Sequence, residues 1–206
     1  ATKGASCATR DFYRLKDANG IIRPGSMVLV LSPPGHGKSS YLRALANRIP
    51  LSEGHVAYNG RNFDQAAAEG CDLKKLTQYI DQVDTHLPVL TVEETLDFAH
   101  KLTSVNYDPQ RVEDAITLLG LEECRNTILG NALIRGVSGG QKKRVTIGEL
   151  LVSDASTLFF DEFSNGLDSS TSIDIGKGLK KFCHKYNSSV VATLQQPTPE
   201  LFALFD

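Results

Sequence analysis

The pattern of apolar residues along the chain predicts strands and amphipathic helices in alternation. Three short continuous apolar runs, at residues 27–31, 158–160 and 190–194, are typical of strands buried on both faces of a parallel sheet. Between them, apolar residues recur three or four positions apart, as on one face of a helix. These residues are Leu42, Leu45, Ala46 and Ile49 after the first run, and Ile175, Leu179, Phe182 and Tyr186 before the last. This order predicts an α/β core with a mainly parallel sheet.

The middle of the chain has a different pattern. From about residue 91 to about residue 151, three helical stretches follow one another with little strand signal, at 92–101, 109–119 and 138–151. They predict an α-helical subdomain inserted into the α/β core. Short β elements of an antiparallel edge are expected at residues 54–60 and before Gly25. We expect residues 1–206 to form a single domain.

The charge balance narrows the choice of partners. With 22 basic and 24 acidic side chains among 206 residues, the formal charge of −2 gives no electrostatic reason to expect nucleic acid. The one basic run is Lys142, Lys143 and Arg144, which is short and flanked by apolar residues. A solvated helix face is therefore favoured over a patch that binds polyanions.

Cysteine spacing and hydropathy exclude two further classes of protein. The cysteines Cys7, Cys71, Cys124 and Cys183 lie far apart with no CxxC spacing, so neither a zinc site nor a disulfide framework is predicted. No window approaches the roughly 20 consecutive apolar residues that a membrane-spanning helix needs. The start at Ala1 has neither an apolar signal core nor an initiator Met, so we expect a fragment of a longer protein.

A loop rich in small residues follows the first predicted strand and opens the first predicted helix. Small residues let the backbone bend so that successive N–H groups point at phosphate oxygens, and the helix adds its positive end. We expect the N–H groups of Gly35, His36, Gly37 and Lys38 to do so. The candidate phosphate-binding residues are Ser32, Pro33, Pro34, Gly35, His36, Gly37, Lys38, Ser39 and Ser40.

The side chains of this loop have separate expected tasks. Lys38 would reach the β- and γ-phosphates of a nucleotide, the Ser39 hydroxyl would bind Mg²⁺, and Ser40 would contact an α-phosphate oxygen. Ser32 occupies a position where the usual pattern has glycine, which predicts an altered start of the loop without loss of binding. The alternative without function is a glycine-rich turn with an incidental lysine.

Two carboxylates end the apolar run at 158–160. In open α/β sheets, ligands bind at the carboxyl ends of the strands, which is where Asp161 and Glu162 are expected to lie. Asp161 would hold Mg²⁺, and Glu162 would orient or deprotonate the attacking water, a role worth about 10²- to 10⁴-fold in rate. Adjacent acids at a strand end are also common as plain solvated turn residues.

Two glycines open the predicted helix at 138–151, within the segment that we call the glycine turn: Ser138, Gly139, Gly140 and Gln141. Ser138 and Gln141 fit a capping box, which accounts for both without any function. The glycine pair is left unexplained by that interpretation, because glycine destabilises a helix. A helix start without side chains suits an anion, which can belong to another chain.

Together the phosphate loop, the sequence VSGGQKKRV, the sequence LFFDE and the following NGLD resemble the nucleotide-binding domain of ATP-binding cassette (ABC) proteins. The resemblance covers nearly the whole chain and implies a P-loop NTPase (RecA-like) core, with ATP and Mg²⁺ as cofactors. It implies that Gln82 senses the metal and couples to a membrane domain. It also implies that the glycine turn completes the ATP site of a second nucleotide-binding domain, and that Asp168 lies in the loop between the two sites.

Finer wording resembles the G-type, pleiotropic-drug-resistance exporters: GIIRPGSMVLVL, LTVEETLDFA and DEFSNGLDSSTS. The sequence TLQQPTPELFALFD resembles the amino-terminal cassette of full-length members, in which the usual switch histidine is replaced, and that position here is Gln195. A neutral amide can hydrogen-bond a γ-phosphate but cannot carry an imidazolium charge or shuttle a proton. Binding of ATP at this site is therefore better supported than hydrolysis, and Glu162 and Gln195 are the candidate catalytic residues.

Three functions share these motifs. The leading hypothesis is the ATP-driven motor of an exporter of amphiphilic compounds, at the cytosolic face of a membrane. Its partners would be transmembrane domains and a second nucleotide-binding domain, on the same polypeptide or another copy. The second hypothesis is a regulatory half that binds ATP with little turnover, and the third is a soluble ABC ATPase. Intact Lys38, Asp161 and Glu162 favour active hydrolysis.

Overall fold

The structure is a computed structural model that describes residues 15–80 and 86–206. Its centre is a parallel sheet of β1 (Met27–Val30), β2 (Thr77–Ile80), β3 (Thr157–Asp161) and β4 (Ser189–Thr193). In the described part of the chain the strand order is β1-β4-β3-β2, and every neighbouring pair is parallel. The three strands expected at 27–31, 158–160 and 190–194 are confirmed. Sequence reasoning missed β2, whose TQYI sequence has no continuous apolar run.

Helices surround this sheet. They are α1 (Lys38–Leu45), α2 (Phe63–Ala68), α3 (Leu73–Leu76), α4 (Val92–Thr103), α5 (Pro109–Leu119), α6 (Gly139–Leu151), α7 (Ser169–Tyr186) and α8 (Pro199–Phe202), with a 3-10 turn at Glu122–Cys124. The α/β class is therefore confirmed, with α4, α5 and α6 in the stretch between β2 and β3 that was expected to be helical. No helix of the described residues is both long and apolar enough to cross a membrane.

The sequence sets the helix limits through caps. Asp108 accepts a hydrogen bond from the backbone N–H of Gln110 at the start of α5, and Pro109 follows as the first helical residue. Gly120 ends that helix in the left-handed conformation. Helix α1 stops at Leu45, before the predicted Ile49, because Asn47 adopts a φ of 52°. Local caps thus shorten a helix that the apolar spacing alone would extend.

Both faces of the sheet are buried, as the continuous apolar runs predicted. On one face, Phe159 and Val191 pack with Leu42 and Ala46 of α1. On the other, Leu158, Phe160, Val190 and Ala192 belong to the main core with residues of α4, α5, α6 and α7. The stripe of α7 is confirmed, since Ile175, Leu179 and Phe182 are all buried.

The antiparallel edge is much smaller than expected. Of the β elements predicted at residues 54–60, the described residues retain an isolated antiparallel bridge between Tyr58 and Arg61. Gly54 and Gly60, both at positive φ, turn the chain on either side of Tyr58 and leave no room for a ladder. Residues 15–24 before Gly25 contain no strand either. Polar residues and Pro24 break any strand pattern there.

The basic run on α6 is neither a solvated face nor a polyanion patch. Lys142 donates from Nζ to the carbonyl of Gly130 at 2.8 Å, and Arg144 donates from Nη1 to the carbonyl of Leu119 at 2.9 Å. Lys143 is 5% exposed. Leu119 is the last residue of α5, so its carbonyl has no hydrogen-bond donor within that helix, and the guanidinium of Arg144 supplies one from α6. The run therefore serves internal contacts of the helical part of the chain.

Candidate functional site

The predicted phosphate loop connects β1 to α1, and two of its glycines have positive φ. Gly35 and Gly37 adopt φ values of 78° and 85°, which L-residues rarely adopt. Ser32, the departure from the usual pattern, keeps a negative φ, so the altered start of the loop needs no glycine there. Gly37 precedes α1, and no side chain of the described residues caps that helix. Its first N–H groups are therefore available to an anion.

The polar groups of the loop already contact one another. The Lys38 ammonium donates to the carbonyl of Ser32 at 2.7 Å and to that of Pro33 at 3.4 Å, and the residue is 7% exposed. The backbone N–H of His36 donates to the Pro33 carbonyl at 3.3 Å, and its ring Nδ1 donates to the Pro34 carbonyl at 3.0 Å. Lys38 thus lies folded over the loop, with Ser39 and Ser40 in the first turn of α1.

Asp161 ends β3 and is only 1% exposed. Its Oδ1 accepts a hydrogen bond from the Thr193 hydroxyl at 2.8 Å, and its Oδ2 accepts one from the Tyr79 hydroxyl at 2.9 Å. Both oxygens of this carboxylate therefore act as hydrogen-bond acceptors. The two strands that pair with β3, β4 and β2, therefore hold this carboxylate from both sides.

Glu162 follows directly and leaves the sheet at a φ of 55°. Its backbone N–H donates to the Thr193 carbonyl at 3.1 Å and to the Thr193 hydroxyl at 3.0 Å. Its Oε1 accepts a hydrogen bond from the Gln195 amide at 2.7 Å. The two residues that the sequence nominated as catalytic are therefore in direct contact. We call Asp161, Glu162, Thr193 and Gln195 together the acidic edge.

Strand register explains why these groups meet. Asp161 lies opposite Thr193 in the β3 and β4 pair, and Thr193 lies opposite Val30 in the β4 and β1 pair. The carboxyl ends of parallel strands share one edge of the sheet, so the loop after Val30 and the acidic edge leave the sheet on the same side. Gln82, which the sequence also assigned to this site, lies outside the described residues.

The glycine turn forms the capping box that the sequence indicated. Ser138 Oγ accepts from the N–H of Gln141 at 3.2 Å, and the N–H of Ser138 donates to Gln141 Oε1 at 2.8 Å. A Cβ added at Gly139 would meet no atom of the described residues within 4 Å, and one at Gly140 would meet a Leu167 methyl at 3.7 Å. The polar side chains are satisfied within the turn, and the glycine backbone faces open space.

Asp168 caps α7 in this chain. Its carboxylate accepts hydrogen bonds from the Ser170 hydroxyl and from the N–H of Thr171 at 3.0 Å. These bonds, first that from Ser170, hold the pKa of Asp168 well below its usual value. The described contacts of Asp168 are therefore local, and its assignment to a loop between two sites stays a prediction.

Sequence reasoning did not identify the residues that hold the two acids. They are Thr193 and Tyr79, and the Tyr79 hydroxyl in turn accepts a hydrogen bond from Arg43 Nε at 3.2 Å. Thr193 had a usable signal, because it is the one polar residue near the end of a predicted apolar strand. Tyr79 had none while β2 was unrecognised. Long-range contacts of this kind follow from the strand order and register.

The donor set fits a magnesium ion. Mg²⁺ prefers hard oxygen ligands and is usually held by one or two protein groups together with substrate phosphates and water. The buried carboxylate of Asp161 and the hydroxyl of Ser39 are such groups. Among the described residues, no cluster of three His, Cys, Asp or Glu side chains forms a metal cage. The arrangement therefore suits a metal that arrives with a phosphorylated ligand.

Comparisons with known sequences give a consistent result. A family model described as ABC transporter matches residues 15–165. ABC transporter G family member 31 of Arabidopsis thaliana is 40% identical over 93% of the chain. ABC transporter G family member 39 of Oryza sativa subsp. japonica is 38% identical over 100% of the chain. The chain spans 16% and 17% of the length of these two relatives.

A solved structure has the same fold. It is described as the dimeric, post-hydrolysis state of the ATP-binding cassette MJ0796 bound to ADP and Pi. The TM-score is 0.71 at 22% sequence identity, over 93% of this chain and 84% of that one. The likeness extends to nearly the whole chain and concerns the fold.

Proposed function

Because the chain belongs to the ABC transporter family, we propose that it is the ATP-binding and ATP-hydrolysing motor domain of a membrane exporter of the pleiotropic-drug-resistance type. ATP-driven association with a second nucleotide-binding domain would be coupled to efflux of amphiphilic compounds. The chain would lie at the cytosolic face of a membrane, next to transmembrane domains. Support comes from the G family relatives and from the loops gathered at one edge of the sheet.

Residues 32–40 would bind the triphosphate. The N–H groups of Gly35, Gly37 and the first turn of α1 would surround phosphate oxygens, with the helix end adding positive potential. Lys38 would exchange its carbonyl partners, Ser32 and Pro33, for the β- and γ-phosphates. A charge-assisted bond to phosphate is stronger than one to a neutral carbonyl, which favours the exchange. The Ser40 hydroxyl would contact the α-phosphate.

Asp161 and Ser39 would hold Mg²⁺ through oxygen atoms, and Gln82 is proposed to join them. The ion would neutralise charge on the phosphates. Asp161 suits this task because its carboxylate is buried and accepts a hydrogen bond at each oxygen. No residue of the acidic edge other than Asp161 is needed to contact the metal.

Glu162 would orient the attacking water and accept its proton. Gln195 donates to Oε1 of Glu162 and would hold this carboxylate towards the attacking water. As an amide, Gln195 orients but does not take up a proton. The proton is therefore assigned to Glu162, the one group of the pair that can accept it.

The glycine turn would close the ATP site of the second nucleotide-binding domain. Its exposed glycine backbone and the N-terminal end of α6 would approach the γ-phosphate bound by the partner. The capping box supports this assignment because it fixes the turn while Gly139 keeps open space. The partner can be a second copy or another half of the same polypeptide.

The proposal of hydrolysis depends most on the contact between Glu162 and Gln195 at the buried end of β3. Glu162→Gln removes the proton acceptor and retains the size of the side chain. In the full-length protein we expect ATP turnover to fall by about 10²- to 10⁴-fold while ATP binding persists. Phosphate release and nucleotide binding, measured on the same preparation, separate these two effects.

A suitable control is Glu200→Gln, which makes the same chemical change at an exposed position in the first turn of α8. Turnover of the Glu200→Gln protein should match the wild type. Unchanged turnover in Glu162→Gln would remove Glu162 from the mechanism. Absence of ATP binding by the wild type would contradict the motor function as a whole.

A regulatory half that binds ATP with little turnover is the second candidate. It is favoured by one observation, the neutral Gln195 as the partner of Glu162. Gln195→His restores a group that can be charged. A large gain in turnover on that substitution would support the regulatory assignment, whereas equal or lower turnover supports an active site with glutamine.

A further inference from the structure

The Tyr79 side chain joins the helix after the phosphate loop to the acid that is proposed to hold Mg²⁺. Its hydroxyl accepts a hydrogen bond from Arg43 Nε of α1 at 3.2 Å and donates one to Asp161 Oδ2 of β3 at 2.9 Å. Tyr79 itself belongs to β2. Three elements that are separate in sequence thus meet at one oxygen atom.

The direction of these bonds follows from the chemistry of the three groups. Arg43 can only donate, so the Tyr79 oxygen is the acceptor of that bond and its single proton points to Asp161. A phenol keeps this proton at neutral pH. At the other carboxylate oxygen of Asp161, the Thr193 hydroxyl donates a hydrogen bond, while it accepts one from the N–H of Glu162.

We propose that Tyr79, supported by Arg43, is a positioning residue that fixes the Asp161 carboxylate and so sets how strongly Mg²⁺ and nucleotide bind together. With donors at both oxygens the carboxylate plane has one orientation. Without the Tyr79 hydroxyl, Thr193 holds a single oxygen and the plane can rotate. Groups that hydrogen-bond a metal ligand typically affect metal affinity by about 10- to 100-fold. The inference rests on the proposed function of Asp161.

A purely structural role would give a different result. The Tyr79 ring packs at the border of the cluster that contains Leu42 and Phe159. Phenylalanine keeps that packing and loses the hydroxyl alone. Tyr58 packs against the same cluster, is likewise half-buried, and donates its hydroxyl to the Leu45 carbonyl of α1 at 2.9 Å. Tyr58→Phe is therefore a matched control that removes an equivalent hydroxyl without contacting Asp161.

The test compares nucleotide binding with and without metal in the full-length protein. A fluorescent ATP analogue is titrated in the presence of EDTA and again at saturating Mg²⁺, for the wild type, Tyr79→Phe and Tyr58→Phe. The dissociation constant in EDTA divided by that at saturating Mg²⁺ measures the coupling between metal and nucleotide, and we call this quotient the metal ratio. We expect Tyr79→Phe to lower this ratio about tenfold, with affinity in EDTA unchanged. Tyr58→Phe should leave the ratio as in the wild type.

An equal ratio in Tyr79→Phe and the wild type overturns the inference, and so does an equal decrease in both tyrosine variants. Neither result affects the proposed function, which is tested by ATP binding of the wild type and by turnover of Glu162→Gln. A wild-type protein whose nucleotide affinity does not depend on Mg²⁺ contradicts the proposed role of Asp161, and this inference with it.

Arg43→Met provides a second route should Tyr79→Phe fold poorly. Methionine keeps an apolar stem of similar length and removes the donor to Tyr79. If Arg43 acts through Tyr79, Arg43→Met lowers the metal ratio in the same direction, and the double variant falls no further than Tyr79→Phe alone. Additive losses in the double variant would overturn the part of the inference that assigns Arg43 to Tyr79.

Discussion

The acidic edge and the glycine turn differ in how completely their atoms are used within this chain. At the acidic edge, both Asp161 oxygens and the N–H of Glu162 have partners. At the glycine turn, the polar groups of Ser138 and Gln141 pair with each other, and no atom of the described part of the chain fills the space beside Gly139. Substitutions at the edge should therefore affect stability and activity together. Those at the glycines should affect activity alone.

The largest difference between the effect on activity and the effect on stability is expected at Gly139. Gly139→Val adds a side chain to open space, so the free energy of unfolding should change by less than about 1 kcal/mol. If the turn meets the partner's phosphate, the same side chain blocks it, and turnover should fall by about 10²-fold or more. Urea unfolding and phosphate release measure the two properties.

The control for Gly139→Val is Gly20→Val, because a Cβ at Gly20 also meets nothing within 4 Å among the described residues. It should change neither property. A Gly139→Val protein of normal turnover would show that no partner approaches this backbone, and would contradict the shared site.

Thr193 is the position where stability should suffer most. Thr193→Val keeps the shape of the side chain and leaves Asp161 Oδ1 without its donor. Because Thr193 is fully buried, we expect a loss of about 2 kcal/mol in the free energy of unfolding. Thr103→Val, at an exposed threonine of α4, should cost much less in the same denaturation experiment. Equal losses would mean that the acidic edge is not specially held.

Two capping boxes allow a smaller and closely matched comparison. Ser138 caps α6 and Thr91 caps α4 with the same reciprocal pattern, through Gln141 and Glu94. Replacing either cap by alanine should lower the free energy of unfolding by about 1 kcal/mol. Turnover should fall only in Ser138→Ala, since only that cap adjoins the proposed partner site. If turnover also falls in Thr91→Ala, the loss of turnover in Ser138→Ala is explained by lower stability and not by the partner site.

The smallest effect concerns Asp168 and pH. Hydrogen bonds hold its pKa in the folded state below its ordinary value of 3.8, so its contribution to stability is present above about pH 4 and is lost as pH falls through the folded pKa. Asp168→Asn should therefore be less stable than the wild type at pH 7, and the difference in stability should be smaller at pH 3. Thermal unfolding curves measure this difference, and a constant value from pH 7 to pH 3 would exclude the linkage.

Much of the fold was predictable because its signals are local. The apolar runs and the stripe through Ile175 and Phe182 depend on neighbouring residues, and both were confirmed. The missed strand β2 is short and half polar, and it forms because Tyr79 and Ile80 lie opposite Phe159 and Phe160. Pairing across 80 residues leaves no mark in a local pattern.

The site was predictable to a different extent. Motifs nominated Asp161, Glu162 and Lys38 as candidate site residues, because short segments with fixed spacing are typical of that chemistry. The basic run at Arg144 was misinterpreted, because the carbonyls that it satisfies belong to another helix. Tyr79 and Thr193 were missed for the same physical reason. Their roles depend on the partner that the sheet order brings to them.

The backbone of Glu162 has a consequence for what can replace it. An L-residue at a φ of 55° carries strain of about 1 kcal/mol or more, which glycine would relieve, yet glycine has no carboxylate. Two bonds from its N–H to Thr193 hold the residue in that conformation. The bend at the end of β3, where the proposed general base Glu162 lies, is thus held by a single threonine.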